Sequence, residues 1–311
     1  MKYYLAPLEG ITTYVYRNAY HACFGGVDKY FTPFIVPHKN KKFDARERKE
    51  LSPEHNEGLF VVPQLLTNNA EDFIKTANEI KAMGYEEINL NLGCPSRTVV
   101  AKNKGSGFLS QPTELNHFLE KIFSEYKGKI SIKTRIGKES PDEFYQLIQI
   151  YNQYPIEELT IHPRIQMDYY KNVPNMKMFQ VAYEESKNPI CYNGDITSKQ
   201  RIHELSIQFP NLDAMMIGRG IIQNPGLLSR VTKEQLYKFH EMLLDEYIQI
   251  SSGDRNTLFK MKELWFYMIT MFEDAEKIAK KIKKCEQIID YNYQIQTLFA
   301  TCELREDLRL I

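Results

Sequence analysis

The stretch EINLNLGCPSRTVV, residues 87–100, decides how the rest of the chain is read. Ile88, Leu90 and Leu92 alternate with Asn89 and Asn91, which predicts a strand carrying both amides on one face. Gly93, Cys94 and Pro95 end the alternation. The polar residues thus run toward the C-terminal end of the strand and finish in a loop that holds a thiol.

The same design recurs along the chain. Short apolar runs occur in YYLAPL (3–8), KYFTPFIV (29–36), LFVVPQLL (59–66), EEINLNLG (86–93), KISIKTRIG (129–137), EELTIHPR (157–164), PICYNGD (189–195) and LDAMMIGRG (212–220). Segments of helical period lie between most of them. In 70–84, Phe73, Ile74, Ala77 and Ile80 fall on neighbouring turns and Gly84 supplies a stop. In 113–128, Leu115, Phe118, Leu119 and Ile122 form one stripe and Gly128 ends it. Eight strands alternating with helices predict an α/β fold, a closed (β/α)8 TIM barrel. Polar residues collect where the strands end: Gln64, Asn91 with Cys94, Lys133 with Arg135, His162 with Arg164, Asn193 with Asp195, and Arg219. In a barrel those ends converge on one face, which is where such folds place their active sites. No early strand carries a GxGxxG turn, which counts against a doubly wound dinucleotide-binding sheet. From about residue 233 the strand signals cease, and a bundle of three or four helices is predicted. The expected organisation is a catalytic barrel over 1–232 and a small helical domain over 233–311.

Lys+Arg and Asp+Glu both number 40, so global charge does not announce a polyanionic partner. No apolar run is long enough to span a bilayer, and MKYYLAPLEG lacks the apolar core of a signal peptide. The five cysteines are scattered with no CxxC pair, which predicts reduced thiols, no metal site and a cytoplasmic protein. Cys23, Cys285 and Cys302 read as small buried apolar residues.

Lys133 and Arg135 point to one face of their strand, and two cations there call for an anion or a polar acceptor. The glycines of YNGDI (192–196) and MIGRGI (216–221) follow the last two strands, where barrels commonly bind phosphate through backbone N–H groups. Asn91 offers amide donors and an acceptor. Cys94, by itself, reads more readily as packing than as nucleophile or acid. His162 suits proton transfer or donation to phosphate.

Taken together, LAPLEGIT, NLNLGCPS, KTRIG, IHPR with DYY, YNGDI and MIGRG resemble, in order and spacing, the motifs of the tRNA-dihydrouridine synthases. That family comprises flavoenzymes that reduce uridines in transfer RNA, and the resemblance extends to its helical RNA-binding tail. It implies bound FMN, contacted by Pro7, Leu8, Glu9, Gln64, Lys133 and His162, with Asn193, Gly194, Asp195, Gly218 and Arg219 at the phosphate end. It implies Asn91, Arg135 and Tyr170 as substrate contacts and Cys94 as the proton donor. NADPH, with NADH as the variant, would reduce the flavin, which in turn delivers a hydride to C6 of uracil while Cys94 protonates C5. The partners implied are tRNA and NAD(P)H, with no membrane, and a monomer is expected. Basic segments at 37–50 (PHKNKKFDARERKE) and 277–284 (KIAKKIKK) supply local positive charge for RNA, the second placing Lys277, Lys280, Lys281 and Lys284 on one helical face with Ile278 and Ile282 left for packing.

The chain departs from the family pattern at Pro33 and Val36, where an acidic residue and an arginine are commoner, at Gly226, where tryptophan is usual, and in HPR instead of HGR. Two other readings remain open from sequence. One is an FMN barrel dehydrogenase acting on free pyrimidines, and the other a non-catalytic RNA-binding barrel.

Overall fold

The computed structural model describes residues 1–38 and 43–305. The residues divide into two compact units. The first comprises Met1–Pro7, Asp28–Asp195 and Leu205–Ile217; the second comprises Leu8–Val27, Ile196–Glu204 and the chain from Gly218 onward.

The first unit holds nine strand segments: β1 (Lys2–Leu5), β2 (Lys29–Phe31), β3 (Val61–Val62), β4 (Gln64–Leu65), β5 (Glu87–Leu92), β6 (Lys129–Arg135), β7 (Leu159–His162), β8 (Ile190–Asn193) and β9 (Ala214–Ile217). Every ladder is parallel, in the order β3-β2-β1-β9-β8-β7-β6-β5-β4. The two ends of that order, β3 and β4, are consecutive in the chain and separated only by Pro63. Proline has no N–H to give a ladder, so one stave is split in two. Its carbonyl still accepts from Asn89 N at 2.9 Å, and Ile35 bridges to Leu65. Nine segments are therefore the eight staves of a (β/α)8 barrel, as the sequence predicts.

Strands buried on both faces should read as near-continuous apolar runs. The outward residues obey this, and Ile88, Leu90, Leu92, Ile132, Leu159 and Ile161 are completely buried. The helix Ala70–Lys81 is capped by the Asn69 side chain on Asp72 N and buries Phe73, Ala77 and Ile80. Gly84 has φ +101°, the left-handed value expected just past a helix end. The helix Pro112–Glu125 buries Leu115, Phe118, Leu119 and Ile122, each contributing roughly 1.5–3 kcal/mol relative to exposure.

Inside the barrel the inward residues are unusually polar. At the N-terminal end Lys29 Nζ lies 3.0 Å from Glu87, and the Tyr4 hydroxyl donates to Glu158 at 2.6 Å. Burial pushes the Glu158 carboxyl up to about 7. Above these, Tyr4, Ala6, Phe31, Val62, Cys191, Ala214 and Met216 form an apolar plug. The polar row that follows at the C-terminal end is the site described below.

The second unit is helical. Lys233–Ile250, Asp254–Met268, Glu276–Lys284 and Ile288–Thr301 are its four long C-terminal helices. Buried His240 shares the Tyr291 hydroxyl with Trp265, at 2.9 and 2.7 Å. The helix Tyr14–Cys23 also belongs here, because Tyr16 and Phe24 pack edge-on against Phe239. Gly226 explains one departure from the family pattern: a Cβ there would stand 2.5 Å from Val231 Cβ, so no larger residue fits this backbone. Among the described residues no helix is long and apolar enough to cross a membrane.

Candidate active site

The site in the barrel unit is built on one hydrogen-bond chain. Ser131 Oγ accepts from Asn89 Nδ2 at 2.9 Å. Asn89 Oδ1 accepts from Gln64 Nε2 at 2.8 Å, and Gln64 Oε1 accepts from Asn91 Nδ2 at 2.7 Å. Asn91 Oδ1 then accepts from two backbone N–H groups, Gly93 at 3.0 Å and Cys94 at 2.9 Å. Three buried amides, drawn from two strands, therefore fix the turn that presents Cys94. Such amides are costly to bury unpaired, and here each has partners. Asn91 is engaged at both ends of its amide, so its visible task is to shape the Cys94 turn.

A second support lies beneath that turn. Ser106 donates to the Cys94 carbonyl through both Oγ (2.8 Å) and its backbone N (3.1 Å). Gly105, at φ +56°, leaves only 2.8 Å between a would-be Cβ and that same carbonyl, so no side chain is tolerated. Sequence reasoning missed this Gly-Ser-Gly segment; its signal is two glycines flanking a serine in KGSGF (104–108).

Lys133 sits opposite Asn91 in the β5–β6 register. It makes no hydrogen bond or ion pair among the described residues. Burial, and then the neighbouring Arg135, push its ammonium down to about 8. Arg135 is 1% exposed and spends its guanidinium on backbone: Nε on Gly93 O (3.0 Å), Nη1 on Ile165 O (2.7 Å) and Nη2 on Tyr169 O (2.7 Å). Burial lowers its pKa as well. The ring of Tyr170, 48% exposed, lies 5.4 Å from the Arg135 guanidinium carbon and 6.1 Å from the His162 ring.

Arg164, which sequence reasoning placed at a strand end without a role, organises the next corner. Its Nη1 and Nη2 pair with the two oxygens of Asp195 at 3.1 and 2.5 Å. Nη1 also lies 2.9 Å from His162 Nε2. A guanidinium only donates, so His162 Nε2 accepts and the imidazole carries its proton on Nδ1. Asp195 is thereby neutralised by Arg164. Asn193 donates to the Met216 carbonyl at 2.7 Å, and a Cβ on Gly194, whose φ is +154°, would stand 3.2–3.4 Å from Tyr192, Pro174 and His162, a tight fit. Pro7, half-buried, closes the first segment of this unit.

Leu8, Glu9, Gly218 and Arg219 belong to the second unit. There Leu8 N donates to the Thr12 hydroxyl at 2.7 Å, and Lys260 Nζ donates to Gly10 O at 2.9 Å, fixing the PLEGIT turn. Gly218 precedes the short helix Arg219–Gln223. On the helix Glu276–Lys284 Lys277, Lys280, Lys281 and Lys284 are exposed while Ile282 is buried and Ile278 half-buried, as the spacing predicts. In the other basic segment, Arg46, Arg48 and Lys49 are exposed on the helix Ala45–Leu51, and Lys39, Lys41 and Lys42 lie outside the described residues.

The fold and its polar mouth can be set beside known proteins. The family model described as "Dihydrouridine synthase (Dus)" matches residues 4–308. The "Probable tRNA-dihydrouridine synthase" of Staphylococcus epidermidis (strain ATCC 12228 / FDA PCI 1200) is 25% identical, covering 98% of this chain and 95% of that one. The "tRNA-dihydrouridine synthase B" of Pasteurella multocida (strain Pm70) is 27% identical over 72% of this chain and 67% of its own. Among solved structures, histamine dehydrogenase from Rhizobium sp. 4-9 superposes with a TM-score of 0.56 at 10% identity, covering 85% of this chain and 49% of that one. Morphinone reductase superposes with a TM-score of 0.51 at 11% identity, covering 76% and 88%. These two show the shared barrel fold. With the family matched over nearly its whole length, the chain belongs to the dihydrouridine synthase family of oxidoreductases.

Proposed function

We propose that the protein reduces specific uridines of transfer RNA to 5,6-dihydrouridine in the cytoplasm, with bound FMN and NADPH as the ultimate reductant. The observation that carries this reading is Lys133. A half-buried cation that meets no anion among the described residues, and whose charge is disfavoured by its surroundings, suits a ligand bearing delocalised negative charge. The residue types at this mouth fit a flavin, with Gln64 as amide, Lys133 as cation and His162 as imidazole. The assignments of Pro7, Leu8, Glu9, Gly218 and Arg219 to the cofactor rest on the family motifs, as does the assignment of Asn193 and Gly194 to its phosphate end. The motifs assign Asp195 to that end too, and its carboxylate pairs with Arg164.

Bound and reduced, FMN would supply the hydride that no side chain can. Cys94 supplies the proton for C5, since a thiol is a weak acid that ordinarily keeps its proton at neutral pH. Gln64, Asn91 and Ser106 hold its turn still, so that donor and acceptor meet without reorganisation. Tyr170 offers an exposed ring face to a base withdrawn from its stack. The names of the relatives, both tRNA-dihydrouridine synthases, support tRNA as substrate.

The test is to purify the full chain, look for a flavin absorbance that NADPH bleaches, and then supply unmodified tRNA transcripts and free pyrimidines in parallel. Dihydrouridine in the tRNA nucleosides is expected. Turnover of free pyrimidine alone would move the assignment to a dehydrogenase of free bases, and a colourless protein that binds RNA would move it to a binding barrel.

The lysine face gives a second expected result. Reversing Lys280 and Lys281 to Glu should raise KM for tRNA about tenfold or more and flatten its salt dependence, with kcat little changed. An unaltered salt slope would remove this helix from the RNA contacts.

A further inference from the structure

We propose that Met167 and Val173, on the loop that follows β7, are further substrate contacts: they give an apolar footing to the nucleotides on either side of the target uridine. This rests on the function proposed above. Thirteen large apolar side chains stand exposed among the described residues, and three of them, Met167 (60%), Tyr170 (48%) and Val173 (85%), fall in the single stretch 167–173. The loop is fixed in place. Gln166 N donates to Gly137 O at 2.9 Å, and Asp168 Oδ2 accepts from Ile165 N at 3.0 Å. Arg164 Nε donates to Asn172 O, and Arg135 bonds the Ile165 and Tyr169 carbonyls and the Tyr170 side chain. The surface also continues the candidate active site, because the Tyr170 ring lies 6.1 Å from that of His162, and Arg135 holds the carbonyl of Gly93 beside Cys94. Its charges suit a polyanion. Arg97, which hydrogen-bonds the Tyr169 hydroxyl, and Lys171 and Lys177 are exposed. Asp168, the one carboxylate in 165–173, is engaged by Ile165 N and Asn172 Nδ2. Apolar and aromatic side chains set among cations are the arrangement that holds unstacked nucleic acid. A uridine drawn from its stack leaves its neighbours with bare faces, and apolar side chains placed against them restore part of the lost contact.

The experiment compares the full-length wild type with two double variants, Met167→Ser with Val173→Ser and Met167→Leu with Val173→Ile. Because both positions are exposed, neither variant should change the melting temperature or the rate at which NADPH bleaches the flavin. With unmodified tRNA transcript, the serine variant should raise KM about tenfold and keep kcat within about threefold. The slope of log KM against log salt should stay as in the wild type, since no charge is removed. The leucine–isoleucine variant should match the wild type throughout. A wild-type KM in the serine variant overturns the inference. Slower flavin reduction there also overturns it, by making the loop a support of the cofactor site. A wild-type dimer that the serine variant loses, read by sedimentation, overturns it in favour of an interface between copies. If the serine variant melts early, Val173→Ser alone, at the more exposed position, decides by the same readings. If the wild type forms no dihydrouridine, the functional reading falls and the inference with it; if the wild type turns over and the serine variant equals it, the inference alone falls.

Discussion

Replacing Cys94 by alanine is expected to leave a folded, yellow protein whose dihydrouridine formation falls about 10²–10⁴-fold. The fold should survive because the turn is not held by the thiol. Asn91 Oδ1 binds the backbone N–H groups of Gly93 and Cys94, and Ser106 binds the Cys94 carbonyl. Alanine keeps all of these. Flavin binding should survive too, since Gln64, Lys133 and His162 are untouched. What disappears is the proposed source of the proton for C5. Cys94→Ser tests the same idea from another side: it keeps size and polarity but raises the acid's pKa far above neutrality, so it should also be nearly inactive. Bound flavin is read by absorbance and product by nucleoside mass spectrometry. Turnover within tenfold of wild type in the alanine variant would place the acid elsewhere.

Lys133→Met is the second large effect, and it should move stability and activity in opposite directions. The folded protein pushes the Lys133 ammonium down to about 8, below its ordinary 10.5, because burial disfavours the charge. A depressed lysine binds fewer protons folded than unfolded, so its penalty is complete below about 8 and vanishes as pH rises through 10.5. Methionine carries no charge to bury. At neutral pH the variant should therefore be more stable than wild type by about 1–3 kcal/mol, the lower end allowing for partial solvent access. That advantage should shrink steadily between about pH 8 and 10.5. Flavin retention and dihydrouridine formation should both fall, the latter about a hundredfold or more, because the cation proposed to face an anionic ligand is gone. Urea unfolding at neutral and alkaline pH, beside flavin content after gel filtration, checks each part. A destabilised variant that keeps its flavin would show that Lys133 supports the fold instead of the ligand.

Much of this architecture is written in local patterns. Period-two alternation in EINLNL and period-3.6 stripes such as Leu115, Phe118, Leu119 and Ile122 give the strand–helix order, and polar residues at strand ends mark the mouth. Cys94 stands out because Gly93 and Pro95 isolate it. What stays hidden are the residues whose partners are backbone atoms. For Arg135 the sequence shows a cation but not the three carbonyls it meets. For Asn91 the sequence shows an amide, but nothing in NLNLGCP reveals that its oxygen turns back onto Cys94 N. Ser106 is invisible for the same reason, since the carbonyl it serves belongs to every residue type. Arg164 lacks a reading until Asp195, 31 residues later, comes beside it. The split at Pro63 is legible in principle, because a residue without an N–H must break a ladder, yet the two halves still serve one stave.

The helix Tyr14–Cys23 carries a consequence for how the chain is made. Its partners lie at the far end of the polypeptide; Thr13 and Tyr247, within 3.4 Å in the folded unit, are 234 residues apart. At translation rates of about 5–20 residues per second, the aromatic face of Tyr16 and Tyr20 waits roughly 10–50 seconds before Phe239 and Tyr247 emerge. During that interval an apolar surface is open on the nascent chain, while the barrel strands that follow it are already available to pair. A stalled or prematurely terminated chain would leave that face permanently uncovered.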